Sequence, residues 1–195
     1  MIIKTREALE HLLDDAQLGI WQYGFVRTDA IEFLDEVRGY CEQNRCRRYG
    51  VTWACPPAIG TIDECRDRCR QFDEMLVFTG KYDLEDSFDI ESMEAGLRDF
   101  KDVCDRLAAQ VKPHIGAHMI LSNEGCLRCE TCTYPDAPCR FPDSLQPSLE
   151  GYGIMVSDLA AMAGVRYING KDTVTYFGGL LFHDQMPECF SASSA

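Results

Sequence analysis

The sequence predicts a single domain of the α/β (α+β) class: a mixed β-sheet flanked by helices, a C-terminal β-hairpin, and cysteine-rich loops gathered at one end. Three observations predict it. Stretches with helical period alternate with short apolar runs rich in β-branched and aromatic residues. Asn169-Gly170 stands inside the last apolar stretch, a strong hairpin signal. Most of the eleven cysteines fall in two segments that read as loops and loop-helix junctions. With 195 residues the chain can bury one sizeable core, and no linker, repeat or low-complexity tract divides it.

The elements follow in order. Thr5 to Asp15 reads as an amphipathic helix with Ala8, Leu9, Leu12 and Leu13 on one face. Gly19 to Val26 reads as a strand. Asp29 and Glu32 have the spacing of a capping box, opening a helix with Ile31, Leu34, Val37 and Cys41 inward. A loop, "RYGVTWACPPAIG", comes next. Thr61 and Glu64 form a second capping box, starting a helix that carries Cys65 and Cys69. "EMLVFTGKY" is a strand, Ile90 to Val111 a long helix, and Ala117 to Ser122 a strand feeding the second cysteine segment. Tyr152 to Ala163 is a helix stopped by Gly164. Cys104, on the stripe of Leu97, Phe100, Leu107 and Val111, reads as a small buried hydrophobe. "SASSA" reads as a frayed tail.

Charge and composition exclude several classes. The formal net charge is −13 and the pI near 4.6, so the basic footprint of a nucleic-acid binder is missing. No apolar run approaches the ~20 residues of a membrane span, and "MIIKTREALEHLLDD" does not read as a signal peptide. A cytoplasmic protein is therefore expected. Disulfides are rare in the cytosol, and an odd number of cysteines cannot pair completely, so metal ligation or catalysis is favoured.

The most specific feature is Cys126-x2-Cys129-x2-Cys132-x6-Cys139, followed by Arg-Phe-Pro142. A C-x2-C-x2-C run wraps the backbone around a cube, with amides free to donate to its sulfurs. Bacterial ferredoxins use this rhythm with a shorter fourth spacing and an adjacent proline. Structural zinc usually takes two C-x2-C knuckles about fifteen residues apart, which three successive x2 gaps overcrowd. A [4Fe–4S] cluster is the expectation and zinc the alternative.

Cys41, Cys46 and Cys55 form a looser set, with Cys65 or Cys69 available as a fourth ligand. Cys65 lies nearer the helix N-terminus, where free amides favour a thiolate, so it is preferred and Cys69 is assigned to the core. Pro56-Pro57 fixes a turn beside Cys55. Tyr49 and Trp53 either cover a cluster or fill core. A long helix and two strands separate the two sets, so independent assembly is expected. Cys189 stays unassigned.

"CRRYGVTWACPPAIGTIDEC" and "GCLRCETCTYPDAPCRFPDSLQPSLEGYGI" together resemble the predicted metal-binding proteins of domain of unknown function 2284. The resemblance covers most of the chain, including "PSLEGYG" and the closing "TYFGGLLF". It implies a cysteine-rich, iron–sulfur group found mostly in anaerobes. It also implies two sets of four ligands: Cys41, Cys46, Cys55 and Cys65; and Cys126, Cys129, Cys132 and Cys139.

The remaining candidates read as structural. His114 and His118 are four apart, but Pro113 and Gly116 argue against one helix presenting both. His11 reads as solvated, and His183 follows a strand and could approach a site, as could any histidine. Glu150 reads as a helix-start residue, with a proton donor near a cluster as the functional alternative. "YFGG" is too short for a nucleotide fingerprint. Three functions compete: an electron-transfer or redox accessory protein with two [4Fe–4S] clusters docking on a partner oxidoreductase, a redox enzyme with a site-differentiated cluster, and a zinc-stabilised interaction module.

Overall fold

The computed structural model describes residues 5–13 and 18–184. Cys189, the "SASSA" tail and the end of the first predicted helix lie outside the described residues, as does the side chain of Ala8. A four-stranded antiparallel sheet runs β1 (Gln22–Arg27), β2 (Glu74–Asp83), β4 (Thr173–Phe182), β3 (His118–Ser122) in spatial order. Five helices accompany it: α1 (Thr5–Leu13), α2 (Asp35–Glu42), α3 (Ile62–Cys69), α4 (Ile90–Val111) and α5 (Val156–Ala163).

Both faces of the sheet are covered, and the sequence of β2 shows why it reads as an unbroken apolar run. Side chains alternate across a strand. Leu76 and Phe78 therefore join α1 and α4 in one core with Phe100, Leu107, Leu180 and Phe182. Met75 and Val77 join α3 and α5 in the other, with Leu149, Tyr152, Leu159, Phe177 and Leu181. The two glycines of "YFGG" are packing devices. In register with Gly178 stands Phe78, whose ring occupies the space a Cβ there would need, and Met75 does the same for Gly179.

The α+β class is as predicted, but the sheet pairs only antiparallel neighbours. The strand–helix–strand unit β2–α4–β3 does return β3 parallel to β2. The ten-residue β4 slots between them, antiparallel to both. That insertion also removes the expected hairpin. With both edges of β4 taken, Asn169-Gly170 has no strand before it to fold back. Asn169 instead donates to Arg166 O and Thr175 Oγ1 at 3.0 Å each and accepts from Trp21 Nε1 at 3.2 Å.

Helix starts divide in the same way. At Thr61 the capping box forms in both directions. The box at Asp29 does not, because Arg27 engages that carboxylate at 3.1 and 3.3 Å. Residues 31–34 run extended instead, pinned by Leu34 N donating to Gly153 O at 2.7 Å, and α2 begins only at Asp35. α4 spans Ile90–Val111 as predicted, capped by Asp89, whose carboxylate accepts from Ser92 N. The predicted helix from Tyr152 is split: a 3-10 turn covers Glu150–Tyr152, Gly153 is left-handed at φ 81°, and α5 follows.

Candidate metal centres

The second cysteine segment leaves the sheet at the end of β3 and folds into a loop closed by its own contacts. Thr133 Oγ1 donates to Pro138 O at 2.8 Å, Ala137 N to Thr133 O at 2.9 Å, and Arg140 Nη1 to Thr131 O at 2.9 Å. Cys126, Cys129, Cys132 and Cys139 then line one small pocket, walled by Trp53, Arg128, Phe141 and Leu145. Backbone amides turn toward two of the sulfurs: Arg128 N to Cys126 Sγ at 3.5 Å and Phe141 N to Cys139 Sγ at 3.4 Å. Arg128 anchors the loop to α4 through both oxygens of Asp105 at 2.7 Å.

The first set is assembled from separate elements. Cys41 sits in the last turn of α2, followed by a tight turn in which Asn44 and Arg47 take positive φ. Cys46 is exposed on that turn. Cys55 is 5% exposed, on a loop held by Ser148 N donating to Ala54 O at 3.0 Å. These three thiols form an electrostatic neighbourhood: the leading charged influences on Cys41 are Glu150, Cys55, Cys46 and Arg38. Burial, followed by Glu150, pushes the Cys41 thiol up to about 11. Burial also raises Cys55, while Thr52 and Ser148 oppose the rise. The Thr52 hydroxyl is itself buried and without a partner at hydrogen-bonding geometry.

Cys65 is fully buried in the α3–α5 core. Its sulfur accepts from Arg68 Nη2 at 3.1 Å and Arg38 Nη2 at 3.5 Å and contacts Ile59 O at 3.5 Å. Burial raises its pKa and the two guanidinium groups oppose the rise. Cys69 is also fully buried, its thiol pushed up to about 12 by burial. Cys104 is the buried hydrophobe expected, its Sγ 3.8 Å from Ser122 Oγ. His118 contacts Gly116 O and lines a cleft with Arg128, Ser144 and Leu145 of the second cysteine segment, and His183 lies 3.4 Å from Asp73.

The two sets are not separate in space. Trp53, two residues before Cys55, donates Nε1 to Ala137 O at 3.1 Å and meets Tyr134 edge-on at 4.9 Å. It walls the pocket of the second set, so it covers that site although it lies in the sequence of the first. Between the loops lies a buried polar array that spacing alone does not reveal. Lys101 of α4 donates to Asn123 O at 2.6 Å and Ser122 Oγ at 3.0 Å. Burial lowers its pKa, and Cys104, Glu150, Cys126 and Cys55 act against that, so its ammonium feels both cysteine sets. Asn123 is fixed by Phe177 N and donates Nδ2 to Glu150 Oε1 at 2.5 Å. Glu150 starts a helical turn as expected, yet its side chain is partly buried at the edge of a cleft, and burial raises its pKa.

All cysteines among the described residues are free thiols. No three His, Cys, Asp or Glu side chains among those residues converge closely enough to hold a single ion. A family model described as predicted metal-binding protein (DUF2284) matches residues 24–182, which takes in both cysteine sets. The chain belongs to this family. No curated protein and no solved structure matches it. No helix among the described residues of this DUF2284 protein is long and apolar enough to cross a membrane.

Proposed function

We propose that this DUF2284 protein carries two [4Fe–4S] clusters, one at each cysteine set, and passes electrons to a partner oxidoreductase. One observation carries the reading: Cys126, Cys129, Cys132 and Cys139 line a single pocket, with backbone amides directed at their sulfurs. Amide-to-sulfur bonds stabilise the charge of an iron–sulfur cluster. Zinc needs its donors converging on one tetrahedron, whereas a cube distributes its ligands over separate corners.

A bound cluster supplies a one-electron couple. Around it, Trp53 and Phe141 exclude water, Arg128 holds the loop to α4, and the Lys101 ammonium opposes the negative charge of both sites. The net charge of −13 suits docking to a basic face on the redox partner. Free thiols throughout the described residues accord with a cytoplasmic setting. A second reading, a redox enzyme with an open iron, is favoured by a cleft that reaches Glu150 beside the first set. Anaerobic purification tests the main reading: about eight irons and eight sulfides per chain are expected, with broad absorption near ~400 nm. A colourless protein holding zinc contradicts it.

A further inference from the structure

We infer that the cleft lined by α2, the start of α5 and the first half of β4 binds a small organic cation, a primary amine carried on an apolar or aromatic body. Binding there needs no metal, so it stands apart from the iron–sulfur reading above.

The shape of the cleft suits a small molecule. Its volume is about 420 Å³, and it reaches down to the core at Val37, Ile154 and Phe177, which are at most 3% exposed. Its rim is apolar where a protein surface is ordinarily polar: Tyr40, Tyr167 and Ile168 are 54, 51 and 76% exposed. That rim is held in place. Before the Tyr167-Ile168 pair, Arg166 N donates to Gln22 Oε1 at 3.0 Å; after it, Asn169 is fixed by its contacts with Arg166, Thr175 and Trp21. Tyr167 also lies against Phe177, with ring centroids 5.6 Å apart. An apolar surface on a fixed frame binds without the cost of being ordered first.

The charge of the lining selects the ligand. No lysine, arginine or histidine lines the cleft among the described residues, whereas two carboxylates do, Glu124 and Glu150. Glu150 accepts from Asn123 Nδ2 at 2.5 Å and from its own backbone amide, which fixes it in position. Glu124 is exposed, and its side chain makes no hydrogen bond or ion pair among the described residues. The Lys101 ammonium is engaged by Asn123 O and Ser122 Oγ and does not line the cleft. Two carboxylates lining one space without a cation repel phosphates and carboxylic acids and attract an ammonium. Aromatic faces act in the same direction, since a cation over Tyr40 or Tyr167 is attracted by the ring. A bare metal ion would leave the apolar rim unused, and an uncharged molecule would leave the carboxylates uncompensated. An amine on an apolar body answers both.

Tyramine is the probe, with tyrosol and 4-hydroxyphenylacetate as its neutral and anionic counterparts, titrated calorimetrically into the anaerobically purified full chain. Tyramine should bind about tenfold more tightly than tyrosol, the worth of one charge-assisted hydrogen bond, and 4-hydroxyphenylacetate should give no heat of binding. Glu124→Gln, a mild change at an exposed position, should weaken tyramine about threefold and leave tyrosol unchanged. Tyr167→Ala should weaken tyramine and tyrosol alike, by about fivefold. Equal affinities for tyramine and tyrosol, binding of the anion, tyramine binding that neither variant alters, or no tyramine binding at all overturns the inference. Iron measured on the same sample keeps the two readings apart. Iron-free protein that binds tyramine in this pattern contradicts the clusters and leaves the cleft standing, and iron-loaded protein that does not bind it does the reverse.

Discussion

The two cysteine regions differ in what surrounds their sulfurs. The second is one contiguous surface loop that closes on itself through Thr133, Ala137 and Arg140. The first draws its thiols from the end of α2, the exposed turn after it and a buried loop that also carries Thr52, and its other polar groups, Ser148, Glu150 and Lys101, from two more places. A site made by one loop is displayed in the spacing of its residues. A site assembled from distant elements displays only its thiols and conceals the groups that tune them.

The largest effect that would sharpen this comparison comes from removing one ligand on each side. Cys129→Ala should lose about four of about eight irons and keep the far-UV circular dichroism of the wild type, since its loop lies outside both cores. Cys55→Ala should lose a similar number and also lower the thermal midpoint, being buried against Ser148 and Thr52. Equal thermal effects would erase the distinction between the two regions.

Trp53 is where the regions meet, so its removal has a crossed outcome. Trp53→Ala should cost about 1–2 kcal/mol through the lost Tyr134 contact and Ala137 hydrogen bond. In air it should speed iron loss from the second set, although Trp53 lies in the sequence of the first. Faster loss from the first set would contradict the shared wall.

Lys101→Met removes the ammonium that both sets feel. Adding an electron near a positive charge is favourable, so its loss should lower both midpoint potentials, by on the order of 50 mV. A shift in one potential alone would place Lys101 with a single site. The smallest effect belongs to the frame that holds α3. Thr61→Ala should cost about 1 kcal/mol in chemical denaturation. Hydrogen bonds from Thr61 hold the Glu64 carboxyl below its ordinary range. The contribution is therefore present above the unfolded glutamate pKa and lost as pH falls through the lowered folded value.

Local signals were legible where local chemistry decides. The Thr61–Glu64 box and the Ile90–Val111 helix formed as their residues require. The C-x2-C-x2-C rhythm brought four thiols to one pocket. The failures share a cause in non-local competition. Arg27 took the carboxylate that would have capped α2, and β2 and β3 took both edges of the strand that Asn169-Gly170 should have turned into a hairpin. Lys101, Asn123 and Glu150 are single residues without a motif, and only the end of β3, α4 and the Pro147–Tyr152 segment meeting in space reveal them as one array.

The central claim is that two iron–sulfur sites stand side by side, separated by Trp53 and the Lys101 array. The EPR spectrum of the fully reduced protein tests it most directly. Two adjacent paramagnetic clusters should give a broadened, spin-coupled signal that sharpens to that of a single isolated cluster in Cys129→Ala. A wild-type spectrum equal to the simple sum of two uncoupled signals, or no iron–sulfur signal under strong reduction, would contradict it.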